Sequence, residues 1–167
     1  MARRRRCWSL WCIASDGHKH LLHLAVGNKE SEACWTGFFR HLLDRGMRMP
    51  TTVTSDGAPG LIKGITVCFP ASIRIRCWFH RLANIRAKLP DETAGEVLAH
   101  VYAVRDAPTL DAARSAADRF INTHDHDYPA AVTCFSDDLD ALLAIHRVPL
   151  RHRIRVRKTD RRKSVAA

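Results

Sequence analysis

The sequence lacks any apolar run long enough to cross a lipid bilayer. A membrane-spanning helix needs about 20 consecutive, mostly apolar residues. The Arg-rich start is followed only by the mixed segment CWSLWCIA before Asp16 and Gly17 interrupt it, so a signal-peptide pattern is lacking as well. With 46% hydrophobic residues in a chain of 167, the composition instead predicts a soluble, folded intracellular protein.

Regular cysteine spacing is also lacking. The sequence contains no C-x-x-C pair and no repeated interval between its six cysteines, which are Cys7, Cys12, Cys34, Cys68, Cys77 and Cys134. Disulfide-stapled scaffolds are dense in cysteine and belong to oxidising compartments. The pattern therefore argues against a disulfide framework and predicts reduced, buried thiols in a reducing cytoplasm.

Acidic residues are scarce at both ends of the chain. The net charge is +10; Arg3–Arg6 are four consecutive arginines, and residues 151–163 contain eight basic residues against Asp160 alone. The rest has fifteen basic and sixteen acidic residues, so the body is nearly neutral. Such tails are consistent with nonspecific phosphate binding and equally with unfolded, solvated ends.

The first third of the chain predicts a hairpin followed by a helix. Residues Cys7–Ala14 and Lys19–Val26 are apolar and β-prone, and the turn sequence Ser-Asp-Gly separates them. Apolar residues then recur at intervals of three and four. Ser31 is the expected N-cap of this helix and Gly46 its C-terminal stop.

The middle of the chain predicts two more strands, each followed by a helix. Thr51–Thr54 form a short β-prone run, and Pro59 suits the first turn of a helix. In Ile73–Cys77 apolar residues alternate with arginines, as in a half-buried strand, and a helix is expected near His80. Asp56 falls at the end of the first of these strands, where an α/β enzyme usually exposes its chemistry.

Beyond Pro90 the periodicity is helical throughout. Three stripes are predicted within 91–146, the second capped by Thr109. The expected fold class is therefore α/β, a mixed sheet with flanking helices plus an all-helical insertion. The predicted segments are a core over 7–90, a helical insertion over 91–146 and a basic, disordered tail over 147–167.

Four segments carry a family resemblance: DGHKHLLHLAVGNKES, TSDGAPGLIKGI, FPASIRIRCWFHRLANI and YPAAV. Together they resemble the Mutator-type transposases of bacterial insertion sequences over about Cys7 to Arg157. The resemblance implies a DDE transposase with a ribonuclease H-like core. It implies that Asp56 is the second metal-binding carboxylate, that Cys77 and His80 are the C-x-x-H signature, and that 91–146 is the family's helical insertion.

The resemblance also implies magnesium as the cofactor. Two magnesium ions can activate a nucleophile and stabilise the leaving oxygen in phosphoryl transfer, which requires two or three converging carboxylates. In the family the first Asp lies on a strand upstream of the segment matched by Cys7–Ala14, and the final Glu follows the segment matched by Val156–Asp160. We therefore expect a missing first strand, a catalytically incomplete site, and a truncated or frameshifted copy.

Each site residue has an alternative interpretation. Asp56 before Gly-Ala-Pro could be an ordinary helix N-cap. Cys77 and His80 could bind zinc, although no second ligand pair stands at a matching distance, or could hold the last strand against the insertion. Five basic residues could contact DNA phosphates or form a solvated face; they are Arg74, Arg76, Arg81, Arg86 and Lys88.

Two classes of function follow from these expectations. In the first, the chain is an insertion-sequence transposase that cleaves and joins DNA at the element's ends and target, in the bacterial cytoplasm and on the nucleoid. In the second, it is a non-catalytic DNA-binding or oligomerising protein that modulates a full-length transposase. An open sheet edge would favour association with a second copy. We expect DNA binding without cleavage and no membrane association.

Overall fold

The computed structural model describes residues 6–14, 17–27 and 31–159. Two compact units divide them. The first contains the described residues up to Thr51 together with Gly57–Ser72; the second contains Thr52–Asp56 and Ile73–Thr159. Each unit combines segments that are distant in sequence. The units therefore do not test the predicted division into 7–90, 91–146 and 147–167, which stays a prediction.

The first unit begins with the predicted hairpin. Strands β1 (Arg6–Ile13) and β2 (Lys19–Gly27) pair antiparallel, with Trp8 opposite Ala25. The predicted turn residues Ser15 and Asp16 lie outside the described residues. An antiparallel pair is what two β-prone runs joined by a short turn produce.

Helix α1 (Glu32–Asp44) follows the predicted capping pattern. The Ser31 side chain accepts a hydrogen bond from the backbone N–H of Cys34, and Gly46 adopts a φ of +90° after the helix. An N-cap defines where a helix begins, and a glycine with positive φ defines where it ends. The predictions for Ser31 and Gly46 are therefore confirmed.

Helix α2 (Pro59–Cys68) packs closely against α1 within the first unit. The contact is tightest at Gly64, where an added Cβ would lie 2.8 Å from the Cβ of Trp35. Trp35 in turn stacks on Trp8 with ring centroids 4.3 Å apart. The core of this unit is aromatic, with Phe39 and Phe69 buried side by side.

The second unit contains a parallel pair of strands. Strand β3 (Thr52–Ser55) lies beside β4 (Ile73–Arg76) in the register Ser55 opposite Arg76. Among the described residues, the sheets are this parallel pair and the antiparallel hairpin. The chain is thus a mixed α/β protein, as expected, with its strands in two separate two-stranded sheets.

Helices make up the rest of the second unit. They are α3 (Trp78–Arg86), α4 (Ala94–Arg105), α5 (Leu110–His124), α6 (Pro129–Ser136), α7 (Leu139–Leu143) and α8 (Leu150–Val156), with a 3₁₀ turn at Ala144–Arg147. Thr109 caps α5 by accepting from the N–H of Ala112, as predicted. Buried apolar side chains join these helices to β4; Ile75, Phe120 and Leu142 are examples.

Two parts of this helical region differ from the expectation. The third predicted stripe is two helices, because Asp138 adopts a left-handed φ of 63° and breaks it. The tail expected to be disordered from 147 is helical over Leu150–Val156, where Arg153 donates to backbone carbonyls of the preceding turn. None of the described helices is both long and apolar enough to span a membrane.

Candidate active-site edge

Asp56 lies where β3 ends and is exposed to solvent. Gly57 follows with a φ of +86°, a conformation that favours glycine, and turns the chain immediately after the carboxylate. The N-cap position of α2 is Ala58, whose side chain makes no capping hydrogen bond. The interpretation of Asp56 as an N-cap is therefore wrong.

The parallel register places Asp56 and Cys77 at one edge of the sheet. The backbone N–H of Cys77 donates to the carbonyl of Ser55 over 2.8 Å, directly beyond the last strand pair. Because parallel strands point the same way, the residues that follow them meet at the carboxyl edge. We call this the Asp56 edge; it comprises Asp56, Cys77 and His80.

Cys77 and His80 contact a segment that returns from α8. The backbone N–H of Thr159 donates to Sγ of Cys77 over 3.2 Å, and its hydroxyl lies 3.4 Å from both Sγ of Cys77 and Nδ1 of His80. Cys77 is fully buried. The polar contacts of the C-x-x-H pair therefore go to Thr159, a residue that the sequence did not single out.

Two backbone carbonyls bring the same segment to the Asp56 edge. Val156 accepts a hydrogen bond from the Thr54 hydroxyl over 2.5 Å, and Arg157 accepts one from the N–H of Trp78 over 2.9 Å. The N–H of Trp78 is in the first turn of α3 and has no partner within that helix. Residues 156–159 thus satisfy an orphan donor while lying beside the carboxyl ends of β3 and β4.

Arg76 is buried next to this edge, although the strand pattern predicted an outward-facing residue. It is 7% exposed, and its Nη1 lies 3.9 Å from a carboxylate oxygen of Asp138. Burial lowers the pKa of the Arg76 guanidinium, as does the charge of Arg81, whereas Asp138, Asp137 and Asp56 raise it. Arg76 is therefore a buried guanidinium with carboxylates on one side and a second arginine on the other.

Arg74 and Arg81 are engaged by the loop between α6 and α7. Arg74 forms a two-pronged ion pair with Asp138, including an Nη1 to Oδ2 contact of 2.6 Å. Arg81 is 2% exposed and donates to the carbonyls of Cys134 and Asp137, with Nη2 3.0 Å from the Asp137 carboxylate. The solvated-face interpretation is wrong for Arg76 and Arg81, since both are buried.

The remaining two basic candidates lie on the surface. Arg86 is partly exposed and pairs with the exposed Asp91, whereas Lys88 is exposed just beyond α3. A phosphate could reach these two side chains without a change in the fold. Reaching Arg81 would require the contacts with Cys134 and Asp137 to break.

Within the described residues there is no group of three or more His, Cys, Asp or Glu side chains that could hold a metal ion. A two-magnesium centre needs several converging carboxylates. The Asp56 edge presents one, that of Asp56 itself. The described residues do not by themselves fit the magnesium site that the family resemblance implies.

Fold and edge together define an α/β protein with a candidate active-site carboxylate at the end of a parallel strand. The sequence matches the family described as "Transposase, Mutator family" over residues 2–165. The chain therefore belongs to the Mutator family of transposases.

Curated relatives agree with this assignment. The chain is 36% identical to the transposase for insertion sequence element IS6120 of Mycolicibacterium smegmatis over 148 residues, which cover 89% of this chain and 46% of the relative. It is 31% identical to the transposase for insertion sequence element IST2 of Acidithiobacillus ferrooxidans over 149 residues, covering 89% and 50%. The chain spans about half the length of these relatives or less.

Proposed function

We propose that this chain is part of an insertion-sequence transposase and acts on DNA during transposition. The family match over residues 2–165 carries the proposal, since the similar proteins are named as transposases of insertion sequence elements. The position of Asp56 at the carboxyl ends of parallel strands supports it further. DNA at the ends of the element and at its target is the proposed substrate, in the bacterial cytoplasm.

We extend the proposal to a ribonuclease H-like fold. An antiparallel hairpin, a parallel pair and an Asp after the first strand of that pair are all parts of such a mixed sheet. The helical region after β4 corresponds to the insertion that the family resemblance implies. Among the described residues the hairpin and the β3–β4 pair are separate sheets, so the extension requires a further strand that joins them. An experimental structure that contains no such strand would contradict the extension.

Asp56 is the proposed metal-binding carboxylate of the site. Bound magnesium would supply activation of a nucleophilic oxygen and charge stabilisation during phosphoryl transfer. The described residues supply no group of three ligands for it. For phosphate contact we propose Arg86 and Lys88, the more exposed of the five candidates, whereas Arg74, Arg76 and Arg81 are engaged within the fold.

The lack of a three-ligand metal group among the described residues favours a second candidate function. A chain that binds DNA without a complete metal site could join the complex of a full-length transposase, or pair with a second copy, and modulate transposition. The two candidates share DNA binding and differ in strand cleavage. They are therefore separable in one experiment.

The experiment measures binding and nicking of DNA with and without magnesium. The unaltered chain, Asp56→Asn and, as a control, Asp140→Asn on the exposed side of α7 are compared. We expect all three to bind DNA and none to cleave it, which supports the modulating role. Magnesium-dependent cleavage lost only in Asp56→Asn would support catalysis, and no binding at low salt would overturn the DNA role altogether.

A further inference from the structure

Helix α8 and the residues just after it carry five basic side chains besides His152, and the structure divides them into two groups. Arg153 is turned into the fold, where it donates to the carbonyls of Val148 over 2.9 Å, Ala107 over 3.0 Å and His146 over 3.1 Å. Arg157 lies 3.5 Å from the carboxylate of Asp106. These two arginines fix the helix to the rest of the second unit.

The other three basic side chains, Arg151, Arg155 and Lys158, are all exposed. Arg151 and Arg155 are spaced at i and i+4 on one face of α8, and Lys158 lies just beyond the end of the helix. We call them the outer face of α8. From Leu150 to Thr159 the sequence contains no acidic residue, and Arg151 donates to the neighbouring His152 over 3.0 Å.

The end of this helix is fixed to the Asp56 edge. The carbonyls of Val156 and Arg157 accept hydrogen bonds from Thr54 and Trp78, and Thr159 donates to Cys77. The end of the outer face at Arg155 and Lys158 is therefore held beside the carboxyl ends of the strands, and Arg151 lies one turn earlier on the same helix. An unfolded basic tail would not have this property.

We propose that the outer face of α8 is a contact site for the phosphate backbone of DNA beside the Asp56 edge. The proposal rests on the proposed function, because it names a surface through which a transposase chain would hold its substrate. Residues four apart on a helix are separated by about 6 Å along its axis, so Arg151 and Arg155 can reach different phosphates. Contacts of this kind position DNA without reading its sequence.

The test measures DNA binding at several salt concentrations with a fluorescently labelled duplex of arbitrary sequence. The variant Arg151→Gln with Arg155→Gln is compared with Arg114→Gln with Arg119→Gln, a control that removes two exposed charges from α5. Each lost phosphate contact reduces the slope of log K against log salt by about 0.9. We expect the α8 variant to lose about 2 units of slope and at least about tenfold in affinity near 100 mM salt, and the control to change little.

A charge-preserving variant, Arg151→Lys with Arg155→Lys, should retain the slope, because a phosphate contact of this kind needs the charge alone. Equal losses of DNA affinity in the α8 and α5 variants would show that the effect comes from net charge alone. That result would overturn the inference, while DNA binding by the chain would stand. Loss of binding to one DNA sequence but not another would also overturn it. If the unaltered chain bound no DNA, the inference and the proposed function would fail together.

Discussion

The guanidinium of Arg74 on β4 is paired through both terminal nitrogens with the carboxylate of Asp138 between α6 and α7. The two residues are 64 positions apart. Asp138 also lies 3.9 Å from Arg76, so one carboxylate contacts two arginines of the same strand. This ion pair joins the helical region to the parallel sheet and gives Arg74 a role within the fold.

Replacing Asp138 with Asn should destabilise the second unit by about 2 kcal/mol. Removing one partner of a buried ion pair costs about 3–5 kcal/mol, and the partial exposure of this pair reduces that figure. Asn tolerates the left-handed backbone at this position, so the substitution tests the charge rather than the conformation. Urea unfolding measures the change.

Two comparisons make this prediction specific. Asp140→Asn, on the exposed side of α7, should shift the unfolding midpoint little, since surface charges contribute about 0–1 kcal/mol. Asp138→Ala should cost more than Asp138→Asn, because a left-handed backbone strains alanine. Equal, small effects of Asp138→Asn and Asp140→Asn would show that the ion pair does not stabilise the fold.

Gly64 and Gly37 should respond oppositely to alanine. A Cβ at Gly64 would lie 2.8 Å from the Cβ of Trp35 and 3.3 Å from backbone atoms of α1, so α1 and α2 would have to separate. Such overpacking costs about 1–3 kcal/mol. A Cβ at Gly37 meets nothing within 4 Å, and alanine should stabilise that helix by about 1 kcal/mol. Thermal unfolding of both variants checks the difference, and stabilisation by Gly64→Ala would contradict the close approach.

His146 should make stability fall in mild acid. Its side chain is 6% exposed, and burial, followed by the charge of Arg153, lowers its pKa in the folded protein below the ordinary value of 6.5. Above pH 6.5 the imidazole is neutral in both states. As the pH falls below 6.5 the unfolded chain binds the proton first, so stability drops by up to about 1.4 kcal/mol per pH unit until the folded-state pKa is reached.

The measurement is urea unfolding at several pH values between 7 and 5. His146→Gln should flatten the pH dependence, and His126→Gln, at an exposed position, is the matched surface variant for comparison. His23 and His124 also have lowered pKa values, mainly through burial, so some slope should remain in His146→Gln. An unchanged slope in that variant would show that His146 titrates alike in both states.

Much of the fold was predictable because its signals are local. The hairpin, the cap at Ser31, the stop at Gly46 and the cap at Thr109 each depend on residues within a few positions of one another. The break at Asp138 was not predicted, since the helical periodicity continues on both sides of this single left-handed residue. Helix α8 was missed because its basic composition resembles an unfolded tail.

The candidate site was predictable only in part. A strand pattern places Asp56 and Cys77 at strand ends, and the parallel register then brings those ends together. The catalytic role of Asp56 stays a prediction, as does phosphate contact by Arg86 and Lys88. The alternation of Ile73–Cys77 gave no sign that Arg76 is buried, because the helices that cover it lie far along the chain.

By itself, the sequence determined the type and order of most elements and the family. It also determined that Asp56 and Cys77 lie at the ends of strands. Caps, turns and periodicity act between near neighbours, and family motifs are contiguous. Only the tertiary structure decided which charges are buried and what Cys77 contacts, since Thr159 is 82 positions away from it. Burial and pairing depend on which distant segments pack together, and packing of that kind leaves no local signal in the chain.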